Sequence, residues 1–421
     1  MTSLLTHSEH RNFQRLWLAQ LISQFGDRIN QLALVGLIAE RAPGSTLGLA
    51  KLMAFTIIPV FIIQPFAGVF IDRWDRRTTL FVCDIIRGLL VLSIPLVFIY
   101  WPSIIQIYIV VFFAFCFSRF YVPAKMSIIP DLVQKDHLLT ANSLMTMTGM
   151  MATGLGAALG AFIIEYWGAK NGFLIDAGTF FFSALLLSGM TLPWRWTLKI
   201  DRTKIMKAGK EIRTLQKSFW TEFKEGIQYL ARRREIWLVL SMLFVLFSAA
   251  GAAYIVVIVF IQQSFGSVTR DLGILAIFLV LGLMGGVLAY GKWGTKARWF
   301  QTISWCLILG GTMLSIFAIS VGQSPKLSTA IVLAFIFGLT IGPIFVATNT
   351  TVHIVSNDEM RGKVFSALEI VMHFAFLVAM LLGSWASKFV GAMSILIAVG
   401  GMCVVAGLLG LLRKKGLEEK I

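Results

Sequence analysis

Eight ionisable side chains interrupt stretches that are otherwise oily: Asp27 and Arg28, Asp84 and Arg87, Arg119, Asp176, and Glu369 with His373. A charge deep in a bilayer is costly, so each is a candidate for function or for a neutralising partner. The chemistry they offer is proton transfer and ion pairing. Asp27 sits in the run 16–38, about 20 Å from its start at 1.5 Å per residue, a little beyond a bilayer's centre. A carboxylate held there, away from water, can load and release a proton. A structural pair with the adjacent Arg28, or a helix-capping contact, is the alternative. Glu369 and His373 are four residues apart and stack on one helix face. Glu369 is a second proton-binding candidate, or an anion that answers Arg73. Asp84, Arg87 and Arg119 fall at similar depths, and Arg119 is expected to pair with Asp84. Asp176 is expected near the outer end of its helix in a structural role.

The composition requires elements that cross a membrane. Of 421 residues, 57% are hydrophobic and 14% charged, with a mean hydropathy of +0.81. Soluble domains carry about 25% charged residues. A helix that crosses a bilayer needs about 20 apolar residues. Twelve runs qualify, near 16–38, 47–71, 78–99, 104–122, 141–164, 172–191, 236–261, 272–291, 300–321, 327–348, 364–386 and 392–412. The net charge of +16 has the sign of a nucleic-acid binder, but its distribution follows the membrane. With the N-terminus in the cytoplasm, 28 of the 37 Lys and Arg residues fall on the cytoplasmic side, six outside and three within runs. That is the positive-inside pattern, and it puts both termini in the cytoplasm. All four cysteines fall inside runs and read as small core residues.

The longest break, 192–235, divides the chain into a first bundle (1–192), a basic cytoplasmic linker (193–235) and a second bundle (236–421). Ile212, Leu215, Phe219, Phe223, Ile227 and Leu230 recur at steps of three and four in the linker. Such a stripe predicts an amphipathic helix on the inner membrane surface. The expected fold is an all-α membrane protein of twelve transmembrane helices in two six-helix bundles.

Residues 68–77 read GVFIDRWDRR, between the second and third runs. They match G-x-x-x-D-R-x-x-R-R at Gly68, Asp72, Arg73, Arg76 and Arg77. Gly68 permits close helix approach, and Asp72 can face the positive N-terminus of another helix. With the six-plus-six layout, this motif resembles the signature of the major facilitator superfamily. The resemblance implies a latch that holds the two halves together on the cytoplasmic side. It also implies that helices 1, 2, 4, 5, 7, 8, 10 and 11 line a cavity, with 3, 6, 9 and 12 outside them. A faded copy, GGVLAYGKWGTKAR (285–298), has Tyr290 at the aspartate's place. It nearly matches a phosphate-binding loop at Gly286, Gly291 and Lys292, but Trp293 replaces the Ser or Thr and a membrane helix precedes it.

FYVPAKMSIIPDLVQKDHLLTANSL (120–144), GFLIDAGTFFFSALLL (172–187) and NDEMRGKVFSAL (357–368) are similar to the macrolide-efflux branch of drug:proton antiporters. Siderophore exporters and lysophospholipid transporters are relatives of that branch. The fifth run, GMMATGLGAALG (149–160), lacks the Gly-Pro pair many exporters carry but keeps G-x-x-x-G at Gly156 and Gly160. The function this implies is proton-coupled export of hydrophobic or amphipathic small molecules, with lysophospholipid transport as the alternative. Cavity candidates are Met147, Met150 and Met151, which could form an adaptable apolar wall, and the polar Gln24, Asn30, Gln31 and Asn349. The expected partners are such a solute or lipid, protons and membrane lipids. No nucleic acid, cofactor or metal is expected, nor catalytic chemistry, since there is no H-E-x-x-H or G-x-G-D. The chain is expected to be a monomer in a bacterial-type inner membrane.

Overall fold

A bilayer core offers no water to backbone N–H and C=O groups, so long apolar runs satisfy them internally as helices. The computed structural model describes residues 11–64, 67, 70, 71, 74–100, 104–191, 224, 234–293, 299–355 and 358–412. Twelve long helices run through these residues. They are α1 (Arg11–Arg41), α2 (Thr46–Ile62), α3 (Arg76–Tyr100), α4 (Ile105–Leu132), α5 (138–167) and α6 (169–188). There follow α7 (Arg234–Phe265), α8 (Arg270–Trp293), α9 (Trp299–Gln323), α10 (Leu327–Val355), α11 (Asp358–Val390) and α12 (Ala392–Leu412). Nine stretches of the described residues are long and apolar enough to span a membrane, one of them the 49-residue Thr140–Ser188 that carries both α5 and α6. The two helices outside these stretches are α1, with its many polar residues, and the shorter α2.

Glycine sets the turns. Gly44, Gly168, Gly266 and Gly391 have φ of 71°, 80°, 73° and 79°, a region costly for residues with a Cβ. They stand between α1 and α2, α5 and α6, α7 and α8, and α11 and α12. The same joints of each half are therefore made in the same way. Within α5, Ala152–Gly156 widens into a π-helical turn.

The chain divides into two compact units, Met1–Glu40 with Leu52–Ser218, and Arg41–Lys51 with Phe219–Ile421. In the first, α3 packs on α4 and α6. A Cβ at Gly160 would stand 2.9 Å from Ile29 Cα, and one at Gly172 3.0 Å from Ala33 Cβ, so α5 and α6 lie close against α1. In the second, α7 packs on α11 and α12, α8 on α10, and α9 on α10 and α12. The segment Arg41–Lys51 joins this unit through Thr46, whose hydroxyl donates to Ser384 O (2.9 Å) and meets Ser387 Oγ (2.8 Å). The four cysteines are buried and free. The amphipathic stripe of the linker lies outside the described residues, as do Gly68, Asp72 and Arg73.

The α8–α10 contact is backbone against backbone. A Cβ at Gly338 would run into Leu279 O, and one at Gly282 into Phe335 O. Gly338→Ala should therefore destabilise the protein by about 1–3 kcal/mol through forced separation of the helices. Gly401 has no atom within 4 Å of its Cβ position, so Gly401→Ala should be neutral or stabilise by up to about 1 kcal/mol. Thermal unfolding of the two variants in detergent measures both.

Candidate functional site

The ionisable residues of the first unit converge on one guanidinium. Asp84 and Arg87 are three apart on α3 and share its buried face. Arg87 Nη1 lies 3.3 Å from Asp84 Oδ1, and Nη2 lies 2.8 Å from Asp27 Oδ1 of α1. Arg87 thus holds carboxylates from two helices. Its guanidinium carbon stands 4.0 Å from the Phe180 ring centre and 5.3 Å from that of Tyr121. Planar, weakly hydrated arginine suits such aromatic faces better than lysine does. Asp84 is fully buried, and its second oxygen accepts from Ser183 Oγ at 2.6 Å.

The faces that supply these groups follow helical spacing. On α6, Asp176, Phe180 and Ser183 fall at i, i+4 and i+7, one side of the helix. On α1, Gly26 brings this side close: a Cβ there would collide with Thr179 Oγ1 and Asp176 Oδ1. Asp176 is fully buried and feels the charges of Asp27 and Arg87. On α4, Tyr121 and Lys125 are one turn apart, and Lys125 feels the charges of Asp27 and Arg87. Three carboxylates, Asp27, Asp84 and Asp176, therefore surround Arg87. The Asp27 side chain is 41% exposed, against 6% for Arg87 and 0% for Asp84. Among the described residues, no three His, Cys, Asp or Glu side chains are grouped to hold a metal ion.

Several residues sit where the sequence did not put them. Asp84 takes Arg87 and Ser183 as partners, where Arg119 was expected. Asp27 pairs with Arg87, not with its neighbour Arg28, which donates to Gln31 Oε1 at 2.9 Å. Asp176 lies in the first half of α6 and faces α1 beside Asp27. Asn30 is buried in the same region, beside Asp176. Ser183, Thr179 and Tyr121 were overlooked, although for Ser183 and Thr179 the α6 spacing of polar and aromatic residues was there to read. Gln24 lies near the Cα of Gly149 on α5, and Met147, Met150 and Met151 are each about half exposed, at 50%, 55% and 51%. Asn349 falls on α10. In the second unit, His373 Nδ1 meets Glu369 O at 2.8 Å, a contact with the backbone and not the carboxylate.

The motif arginines act inside their own bundle. Arg76 donates to Ser127 O and Asp131 Oδ2 of α4, both at 2.7 Å. Arg77 donates to Leu187 O (3.1 Å) and Ser188 O (2.5 Å) at the end of α6, where helix carbonyls have no intrahelical partner. Asp75 caps α3 through the Thr78 amide (2.8 Å) and hydroxyl (2.6 Å). These contacts tie α3 to α4 and α6 within the first unit.

Twelve long helices in two units, with a buried charge cluster in the first, define a multi-pass helical membrane protein. A profile of the Major Facilitator Superfamily matches residues 16–355, and the chain belongs to that family. It is therefore a transporter of small molecules and not an enzyme. It is 27% identical over 427 residues to YfiS, an uncharacterised MFS-type transporter of Bacillus subtilis (strain 168), covering 97% of this chain and 95% of that one. It is 22% identical to macrolide efflux protein A of Streptococcus pyogenes over 386 residues, 88% of each chain. A bacterial homologue of the iron transporter ferroportin, solved in an inward-facing state, superposes with a TM-score of 0.67 at 14% identity, over 96% of this chain and 99% of that one.

Removing one partner of a buried ion pair leaves the other charge uncompensated. Arg87→Met should cost about 3–5 kcal/mol, read as a lowered unfolding midpoint. Arg87→Met with Asp84→Asn should recover much of that loss, since no buried anion is then stranded on α3.

Proposed function

We propose that the chain is a secondary transporter that exports hydrophobic or amphipathic small molecules in exchange for protons. It works by alternating access in a bacterial-type inner membrane, with both termini in the cytoplasm. The observation that carries this reading is the shared guanidinium. Arg87 serves two carboxylates, and Asp27, the more exposed of them, is the one that water can reach. Protonating Asp27 removes its claim on Arg87 and leaves the guanidinium to Asp84; deprotonating it restores the link from α1 to α3. A proton thus changes how two helices are joined, which is what coupling requires. The similarity to a macrolide efflux protein favours a large amphipathic solute. The half-exposed methionines of α5 offer an unbranched, polarisable surface that tolerates varied shapes.

The test is transport into proteoliposomes, with the macrolide erythromycin as probe, under an imposed proton gradient. Wild-type protein should accumulate the probe only with the gradient. Asp27→Asn nearly keeps the shape of the side chain but cannot titrate, so gradient-driven accumulation should fall to background while probe exchange without a gradient persists. Accumulation by Asp27→Asn at the wild-type rate contradicts the coupling role.

A further inference from the structure

Arg28 is a cation inside the apolar run of α1 that no carboxylate answers. Its Nη1 donates to Gln31 Oε1 at 2.9 Å, and among the described residues its guanidinium has no other partner. Asp27, the neighbour in sequence, is taken by Arg87. A charge at such a depth is costly and marks a place where water or a solute is met. Nearby on the same helix the lack is of the opposite kind. Gln20, Gln24 and Arg28 fall at i, i+4 and i+8, with Gln31 at i+11, on one side of α1. The side-chain oxygens of Gln20 and Gln24 are buried without a donor. The row therefore has spare donors at one end and spare acceptors at the other.

This row lies against α5. A Cβ at Gly149 would stand 3.6 Å from Gln24 Oε1, and one at Gly156 3.2 Å from both Cβ and Cγ of Arg28. Between these two glycines α5 widens into its π-helical turn, Ala152–Gly156, a feature that recurs at functional sites. The same turns leave Met150, Met151 and Leu155 exposed. Polar groups on one helix beside flexible apolar ones on the next suit a solute with two kinds of surface.

The neighbours of Arg28 select the polar half of that solute. A bound anion would bring its charge beside Asp27, which is 41% exposed one residue away, and toward the bare amide oxygen of Gln24. A hydroxyl or carbonyl oxygen accepts from Arg28 without that repulsion. A hydroxyl one turn along the helix donates to Gln24 Oε1.

We propose that Arg28 and Gln24, with the π-helical turn of α5, form a solute subsite for an uncharged, oxygen-rich group: hydroxyl and carbonyl oxygens carried on an otherwise apolar molecule. Arg28 donates to the oxygens, Gln24 accepts from a hydroxyl, and Met150, Met151 and Leu155 receive the apolar body. This deepens the export reading by naming the polar half of the solute, and it rests on that reading.

Equilibrium binding of two probes to the full chain in nanodiscs tests this. Erythromycin carries many hydroxyl and carbonyl oxygens and tetraphenylphosphonium carries none, while both are cations at neutral pH. Arg28→Met keeps an unbranched stem over Gly156 and removes a charge from the membrane, so the fold should be kept. It should weaken erythromycin binding about 10- to 100-fold, the worth of hydrogen bonds from a charged donor, and leave tetraphenylphosphonium binding unchanged. Gln24→Met is the independent second variant and should weaken erythromycin alone, by up to about 10-fold. An equal effect of Arg28→Met on both probes, or no effect on erythromycin from either variant, overturns the subsite and leaves the export reading standing. So does wild-type protein that binds tetraphenylphosphonium but not erythromycin. Tight binding of laurate that Arg28→Met abolishes makes this an anion site and overturns the uncharged class. Wild-type protein that binds neither cation overturns both readings. Selective loss of erythromycin in the variants of a protein that shows no gradient-driven transport upholds the subsite and overturns the coupling reading.

Discussion

The first unit depends on a single guanidinium buried between two aromatic rings with carboxylates from two helices on its two terminal nitrogens. Bringing Arg87 out of water is tolerable because its charge is answered at 2.8 Å and 3.3 Å and its flat face rests on Phe180. Asp84 is tolerable because Arg87 and Ser183 complete it. Each group is stable only in company, so the four helices that supply them are bound into one arrangement. A buried pair of this sort is weak evidence for stability, since a well-packed apolar set could serve as well. The cluster fits the proposed coupling better, in which a proton on Asp27 would alter which contacts Arg87 makes.

Close packing makes the cluster possible. Gly26 lets α6 come near enough to place Asp176 and Thr179 against α1, and Gly156 and Gly160 let α5 approach on another side. α1 is the least apolar of the long helices, and its Asn12, Trp17 and Asp27 reach Thr191, Thr148 and Arg87 within the first unit. The second unit uses the same device with a different result. Its glycines bring α8 and α10 together at their backbones, and its hydrophobic clusters around Phe260, Phe317 and Leu396 contain no ionised group. The second unit also buries a carboxylate, Asp271, which accepts from Ser267 Oγ at 2.8 Å and pairs with Arg270.

Much of this was legible in the sequence. Each of the twelve apolar runs corresponds to one of the described helices, since a bilayer admits few alternatives to a helix for so long an oily stretch. The joints could also have been read, because the turn glycines recur as PGST and FGSV, and as WGA and VGA, at matching places in each half. The pairings of the charges were less accessible. Counting residues from the end of a run gives depth along one helix, but not which face of another helix meets it. Asp176 looked peripheral because nothing local shows that Gly26 opens a place for it. Asp84 was assigned to Arg119 on depth, although Arg87 three residues away has the right spacing. The motif spacing of Arg76 and Arg77 did not show that the carbonyls at the end of α6 and the carboxylate of Asp131 would be their partners within the first unit.

The central claim is that the proton exchanged for solute is carried by Asp27 in its cluster with Arg87 and Asp84. Proton release on solute binding measures it directly. Erythromycin is added to purified protein in weakly buffered solution with a pH-indicator dye, near neutral pH. Exchange predicts that protons appear in solution in proportion to the bound solute, and that Asp27→Asn abolishes the release. Binding of erythromycin with no proton released at any pH from mildly acidic to mildly basic would contradict it.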